Sequence, residues 1–123
     1  MKKILVIEDE PEMRRNLTTI LRLEKFHPLP AENGRIGVEL AKKERPDLIL
    51  CDVMMPELDG YGVIAALRAA AQTVTIPFIF LTGYGQSTID KRFASYPVLQ
   101  KPVAPEALKA MLTKPAVRAK AVA

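Results

Sequence analysis

A chain of 123 residues falls within the length of one compact domain, and at that size roughly two-thirds of the unfolded surface can be buried in a single core. Its 49% apolar and 26% charged residues lie far from the low-hydrophobicity, high-charge compositions that keep chains disordered. The net charge of +4 would suit a nucleic acid, but the basic residues never run longer than two and no aromatics interleave with them, which excludes a base-stacking surface.

In chain order, short apolar runs alternate with longer segments of helical period, the pattern of βα units on a parallel sheet. The first run, residues 4–7, supplies only four apolar residues before Glu8 and Asp9, too few for a signal-peptide core. From Pro11 to Leu23, the residues Met13, Leu17, Ile20 and Leu21 recur at three- and four-residue steps opposite Arg14, Arg15 and Thr18. That spacing predicts an amphipathic helix with Pro11 in its first turn. A second run at 28–31 precedes a second helix over 34–44, which should bury Ile36, Ala41 and either Val38 or Leu40 and end at Arg45-Pro46-Asp47. The third run, 48–51, closes on the single cysteine, Cys51, which reads as a small buried hydrophobe and, without metal-type spacing, fits a reducing compartment.

A third helix is expected over about residues 62–71 on Val63, Ile64 and Leu67, then a run at 78–81 and a short fourth helix within 87–95. A fifth run at 98–99 and a fifth helix from about Pro105, carrying Leu108, Met111 and Leu112, complete the domain over residues 1–112. Residues 113–123 are alanine-rich with spaced bases and are expected to fray. No stretch approaches the ~20 apolar residues of a membrane span, so the expectation is a cytoplasmic protein with neither membrane nor nucleic-acid partners. Continuously apolar strands are covered on both faces, and right-handed crossovers then give a doubly wound, five-stranded α/β fold.

In such a sheet, functional groups gather beyond the carboxyl ends of the strands. The first strand ends in Glu8-Asp9-Glu10, the third in Asp52, the fourth in Thr82 and the fifth in Lys101-Pro102. Taken singly these residues say little: Asp9 and Glu10 before Pro11 also suit a helix N-terminus, and Asp52 could be an ordinary loop acid. Their joint occurrence after four strands is harder to obtain by chance. Crowded carboxylates repel, and a hard cation with oxygen ligands relieves the repulsion; with no His or Cys to join them, Mg²⁺ fits better than Zn²⁺. A lysine and a hydroxyl across from the metal complete the surroundings of a transferring phosphoryl group, with Asp52 as nucleophile.

The blocks EDE, LILCDVMMPELDGYGV, PFIFLTGYG and VLQKPV, in that order and spanning about residues 2–112, resemble the receiver domains of bacterial response regulators, the CheY-like superfamily. The resemblance implies a flavodoxin-like sheet of order 2-1-3-4-5 and a two-component phosphorelay in which Asp52 takes the phosphoryl group from a histidine kinase or histidine phosphotransfer protein. It further implies Mg²⁺ held by Asp9 directly, by Glu8 through water, by Asp52 and by the backbone carbonyl of Met54. Thr82 would bond a phosphoryl oxygen, Lys101 would pair with its charge, and the peptide before Pro102 would be cis, which is credible only at an X-Pro step. Pro56, Asp59 and Gly60 match the family's turn after the third strand. Such a domain is a signalling switch acting on a downstream protein as a monomer or weak dimer, not a metabolic enzyme.

The chain departs from that pattern at Val98, where the family carries an aromatic that moves behind Thr82; Tyr96 lies two residues further back, beyond Pro97. Signalling is therefore expected to pass through residues 83–87, where Gly83 and Gly85 flank Tyr84, and an altered fourth helix, and Met54 and Tyr84 are expected to shield the acyl phosphate from water. No effector segment follows, which leaves two expectations: a free-standing regulator, favoured by the Met1 start, or a receiver from a hybrid kinase, which VLQKPV keeps open. The alternative of an aspartyl-phosphate phosphohydrolase or phosphotransferase would want a second acid two residues after Asp52, where Met54 stands. A nucleotide or flavin module lacks its glycine-rich loop after the first strand.

Overall fold

The computed structural model describes residues 2–83 and 89–113. Its elements follow in the order β1 (Lys3–Ile7), α1 (Pro11–Leu23), β2 (His27–Ala31), α2 (Gly34–Glu44), β3 (Leu48–Asp52), α3 (Gly60–Arg68), β4 (Phe78–Thr82), a 3₁₀ turn (Lys91–Phe93), β5 (Val98–Gln100) and α4 (Pro105–Leu112). All strand pairs are parallel and the order is β2-β1-β3-β4-β5, so the chain reverses direction across the sheet beside β1. Loops after β1 and β3 diverge there and open a crevice at the carboxyl edge.

The apolar strands feed two cores. Leu5, Ile7, Ile49, Cys51, Phe78 and Phe80 face α2 and α3, whereas Ile4, Val6, Leu48, Leu50, Ile79 and Leu81 face α1 and α4. The two-residue period of a strand splits each run between the faces, which is why no polar alternation shows in the sequence. β2 carries Pro28 and Pro30 at the sheet edge; His27 N–H donates to Lys2 O, so the alternating prolines turn their missing donors outward.

Side-chain caps fix the helix starts. Glu10 accepts from the N–H groups of Glu12 and Met13 ahead of α1, Asn33 from Ile36 N–H ahead of α2, and Asp59 from Gly62 N–H ahead of α3. The Asp59 cap begins α3 at Gly60, two residues before the expected start, and the helix ends at Arg68 because the following turn is held by the Thr73 hydroxyl donating to Leu67 O at 2.6 Å. The fourth helix expected within 87–95 is reduced, among the described residues, to the Lys91–Phe93 turn.

In α2 the deepest residues are Gly34, Gly37 and Ala41, while Ile36, Val38 and Leu40 flank the core half-buried. The expected burial of Val38 or Leu40 gives way to Gly37 because α2 lies close on β1: a Cβ on Gly37 would clash with Ile7 Cδ1 and Cγ1. Gly37→Ala should therefore destabilise the domain by about 1–3 kcal/mol through overpacking, although alanine is the better helix former. Urea unfolding checks this, and an unchanged or raised midpoint would refute it.

Candidate functional site

The ends of β1, β3, β4 and the residue after β5 bring Glu8, Asp52, Thr82 and Lys101 together. Glu8 is wholly buried and Asp52 and Thr82 are each 3% exposed, whereas Asp9 is open to solvent. The Lys101 ammonium donates to Asp52 Oδ2 at 3.0 Å and to Glu8 Oε1 at 3.2 Å, joining groups 49 and 93 residues apart. Lys101 N–H donates to Thr82 O at 2.8 Å, which holds the Lys101 backbone beside the end of β4, and the Lys101–Pro102 peptide is cis. Carboxylate oxygens of Glu8, Asp9 and Asp52 lie within 4.8 Å of one another, a group able to hold a metal ion.

Glu10 does not join them: its carboxylate caps α1. Of the two residues the sequence offered as helix caps, Glu10 takes that role and Asp9 stays in the acidic cluster. Glu8 is tied in place by its Oε2, which accepts from Glu10 N–H at 3.1 Å, and by its carbonyl, which accepts from Arg14 Nη1 at 2.8 Å. The Arg14 contact is not visible in the sequence, where Arg14 reads simply as the polar face of α1.

The turn after β3 fits tightly around Asp52. Met54 N–H donates to Asp52 Oδ1 at 3.4 Å while its side chain is 68% exposed at the rim. Pro56 O accepts from Leu58 N–H, Glu57 takes a left-handed conformation at φ 68°, and Gly60 N–H donates to Val53 O at 2.9 Å. A Cβ at Gly60 would stand 2.6 Å from Asp52 O, so a glycine is required where α3 abuts the site.

Burial pushes the Glu8 carboxyl up to about 7, assisted by the Asp52 charge and opposed by the Glu10 N–H and by Lys101. Burial also pulls on the Lys101 ammonium, but the hydrogen bond and charge of Asp52, with those of Glu8, outweigh it and raise that group. Burial drives the Cys51 thiol well above its ordinary value, so it packs as a hydrophobe and offers no thiolate.

Val98 is half-buried and pairs with Phe80 in the sheet. Tyr96 does not replace an aromatic there. Its hydroxyl accepts from Arg68 Nε at 3.2 Å, at the end of α3 remote from Gly60 and Asp52. Among the described residues Tyr61 packs on Phe80 and Phe93, which Tyr96 also touches, and this part in the cluster the sequence reading missed. The position of Tyr61 directly after Asp59-Gly60 was the available signal. Tyr84, most of the expected signalling segment 83–87 and residues 114–123 lie outside the described residues.

Residues 4–113 match the family model for the response regulator receiver domain. This chain belongs to that family. The receiver is 39% identical over 111 residues to protein PilH of Pseudomonas aeruginosa, covering 88% of this chain and 92% of PilH. It spans only 34% of the length of other, longer curated relatives, described as probable transcriptional regulators. Among solved structures, the chemotaxis protein CheY4 of Vibrio cholerae superposes with a TM-score of 0.83 at 28% identity, covering 91% of this chain and 96% of that one. The receiver domain of sensor histidine kinase PA1611 from P. aeruginosa, with magnesium coordinated in its active-site cleft, superposes with a TM-score of 0.81 at 28% identity, over 90% and 93%. The expected sheet order and CheY-like family are thus found. Among the described residues no helix is long and apolar enough to cross a membrane.

Proposed function

We propose that this receiver, residues 1–112, accepts a phosphoryl group on Asp52 from the phosphohistidine of a histidine kinase or phosphotransfer protein. The observation that carries this reading is the Lys101 ammonium, held 3.0 Å from Asp52 Oδ2 beside a cluster of three carboxylates. A positive charge fixed in a largely buried crevice is aimed where a phosphoryl group on Asp52 would place its oxygens. Asp52 attacks phosphorus, the P–N bond breaks, and the histidine nitrogen keeps the electron pair. Thr82, at the end of the neighbouring strand, is placed to bond a phosphoryl oxygen.

Asp9 and Asp52, the Met54 carbonyl and, through water, Glu8 would hold Mg²⁺; when bound, it neutralises charge on the phosphoryl oxygens. The metal fits this donor set because all three side chains offer hard oxygen atoms. The acyl phosphate then acts as a signal, read by a downstream protein through the region after Thr82, and the chain turns over no metabolite. Met54, exposed beside Asp52, gives no second acid for phosphoester hydrolysis.

Incubation with Mg²⁺ and a small phosphodonor should add one phosphoryl group by intact mass, and peptide mapping should place it on Asp52. No added mass, or a phosphoryl group elsewhere, would overturn this function.

A further inference from the structure

Gly60, the first residue of α3, is pressed against the Asp52 backbone, and Tyr61 follows it directly. The Tyr61 ring stacks on Phe93 with centroids 4.9 Å apart and meets Phe80 edge-on at 5.6 Å. Phe80 stands two residues before Thr82 in β4 and so lies on the same face of that strand. The Tyr61 hydroxyl accepts from Asp90 N–H at 2.8 Å, across 29 residues of sequence. The Tyr61 side chain thus touches the strand of Thr82 and, at Asp90 and Phe93, the turn after it, while its chain neighbour Gly60 adjoins Asp52.

Residues 90–93 form a unit of their own. Asp90 Oδ1 accepts from Arg92 N–H at 2.9 Å, its carboxylate pairs with the Arg92 guanidinium at 3.0 Å, and that guanidinium lies over the Phe93 ring. Ile89, just before, is buried in the core. The Tyr61 hydroxyl and ring hold this turn to α3.

We propose that Tyr61 is the positioning residue of the switch, carrying a change at Asp52 to residues 89–93 through its hydroxyl on Asp90 and its ring on Phe93. The inference rests on Asp52 being the phosphoacceptor. Tyr61→Phe removes the accepting oxygen and leaves the ring, so it separates the link from the packing. Coupling is reciprocal: if Tyr61 links the two places, cutting the link must also change how tightly Asp52 takes its ligand.

The test is amide exchange of the full chain with and without Mg²⁺ and beryllofluoride, a phosphoryl mimic, for wild type, Tyr61→Phe and Phe93→Leu. In wild type the mimic should change protection at residues 89–93 several-fold. Tyr61→Phe should lose most of that change and alter the apparent mimic affinity at least twofold, while its phosphorylation on Asp52 by a small donor persists. Phe93→Leu, which keeps the hydroxyl bond but not the stacked ring, should lose part of the change and serves if Tyr61→Phe does not fold. An identical mimic response in wild type and both variants, or none in wild type carrying the mimic, would overturn the inference. Failure of Asp52 to take phosphoryl group or mimic would instead remove the function on which it rests, and the inference with it.

Discussion

Lys101→Met should destabilise the metal-free protein by about 3–5 kcal/mol near neutral to mildly alkaline pH and slow phosphoryl uptake by about 10²–10³-fold. Methionine keeps most of the side chain's length and removes only the charge and the three donors. In the native protein that ammonium bridges Glu8 Oε1 and Asp52 Oδ2, both on carboxylates almost wholly removed from water. Without it two like charges face each other in a poorly screened crevice, and breaking a buried pair costs more than the pair itself contributes. Because Lys101 holds the Glu8 pKa down, Glu8 in the variant takes up its proton above about 7, so the loss should shrink as pH falls towards about 7. Added Mg²⁺ should restore part of the stability, since it would supply positive charge to the same acids, but not the rate, since the phosphoryl group then lacks the Lys101 ammonium. Urea unfolding with chelator and with Mg²⁺, beside time-resolved intact mass, measures both. A variant within about 1 kcal/mol and tenfold of wild type would show that Lys101 is peripheral.

The contrast between Lys101 and Tyr61 marks what a sequence exposes. β1, β3 and β4 are legible because burial on both faces forces unbroken apolar runs, and the acids that end β1 and β3 break those runs abruptly, whereas β2 and β5, at the sheet edges, leave a weaker trace. The ends of strands in a parallel sheet share one edge, so Glu8, Asp52, Thr82 and Lys101 can be brought together on paper before any coordinates exist. Which acid does what is not legible: Glu10 becomes a helix cap and Asp9 stays open to the crevice through backbone geometry that adjacent letters do not encode. Gly37 sits deeper than its larger neighbours because of how closely α2 approaches Ile7, a tertiary distance rather than a helical period. The Tyr61–Asp90 bond joins a helix to a turn that local propensity suggests should itself be helical, so neither partner carries a signal by itself.

Glu8 should make the stability of the metal-free protein fall as pH rises across the range from about 4.5 to about 7. The sign follows from its folded carboxyl lying above its ordinary value. Between the two values the folded state holds a proton that the unfolded state has released, so the unfolded state binds fewer protons and loses less by deprotonation. At about 1.4 kcal/mol per pH unit the effect amounts to about 3 kcal/mol across the range, and it levels off above about pH 7, where both states are ionised. Other groups titrate in the same window, so the informative quantity is the difference between wild type and Glu8→Gln, which keeps the shape and abolishes the titration. Relative to that variant, wild type should lose about 3 kcal/mol as pH rises through the window. With Mg²⁺ present the slope should flatten: the metal competes with the proton, so its apparent affinity should climb with pH up to about 7 and then level off, and the stabilisation it confers offsets the fall. Glu8→Gln should bind Mg²⁺ more weakly at every pH and without that climb. Parallel stability curves for wild type and Glu8→Gln from mildly acidic to neutral pH would mean that the Glu8 carboxyl titrates as an ordinary acid despite its burial.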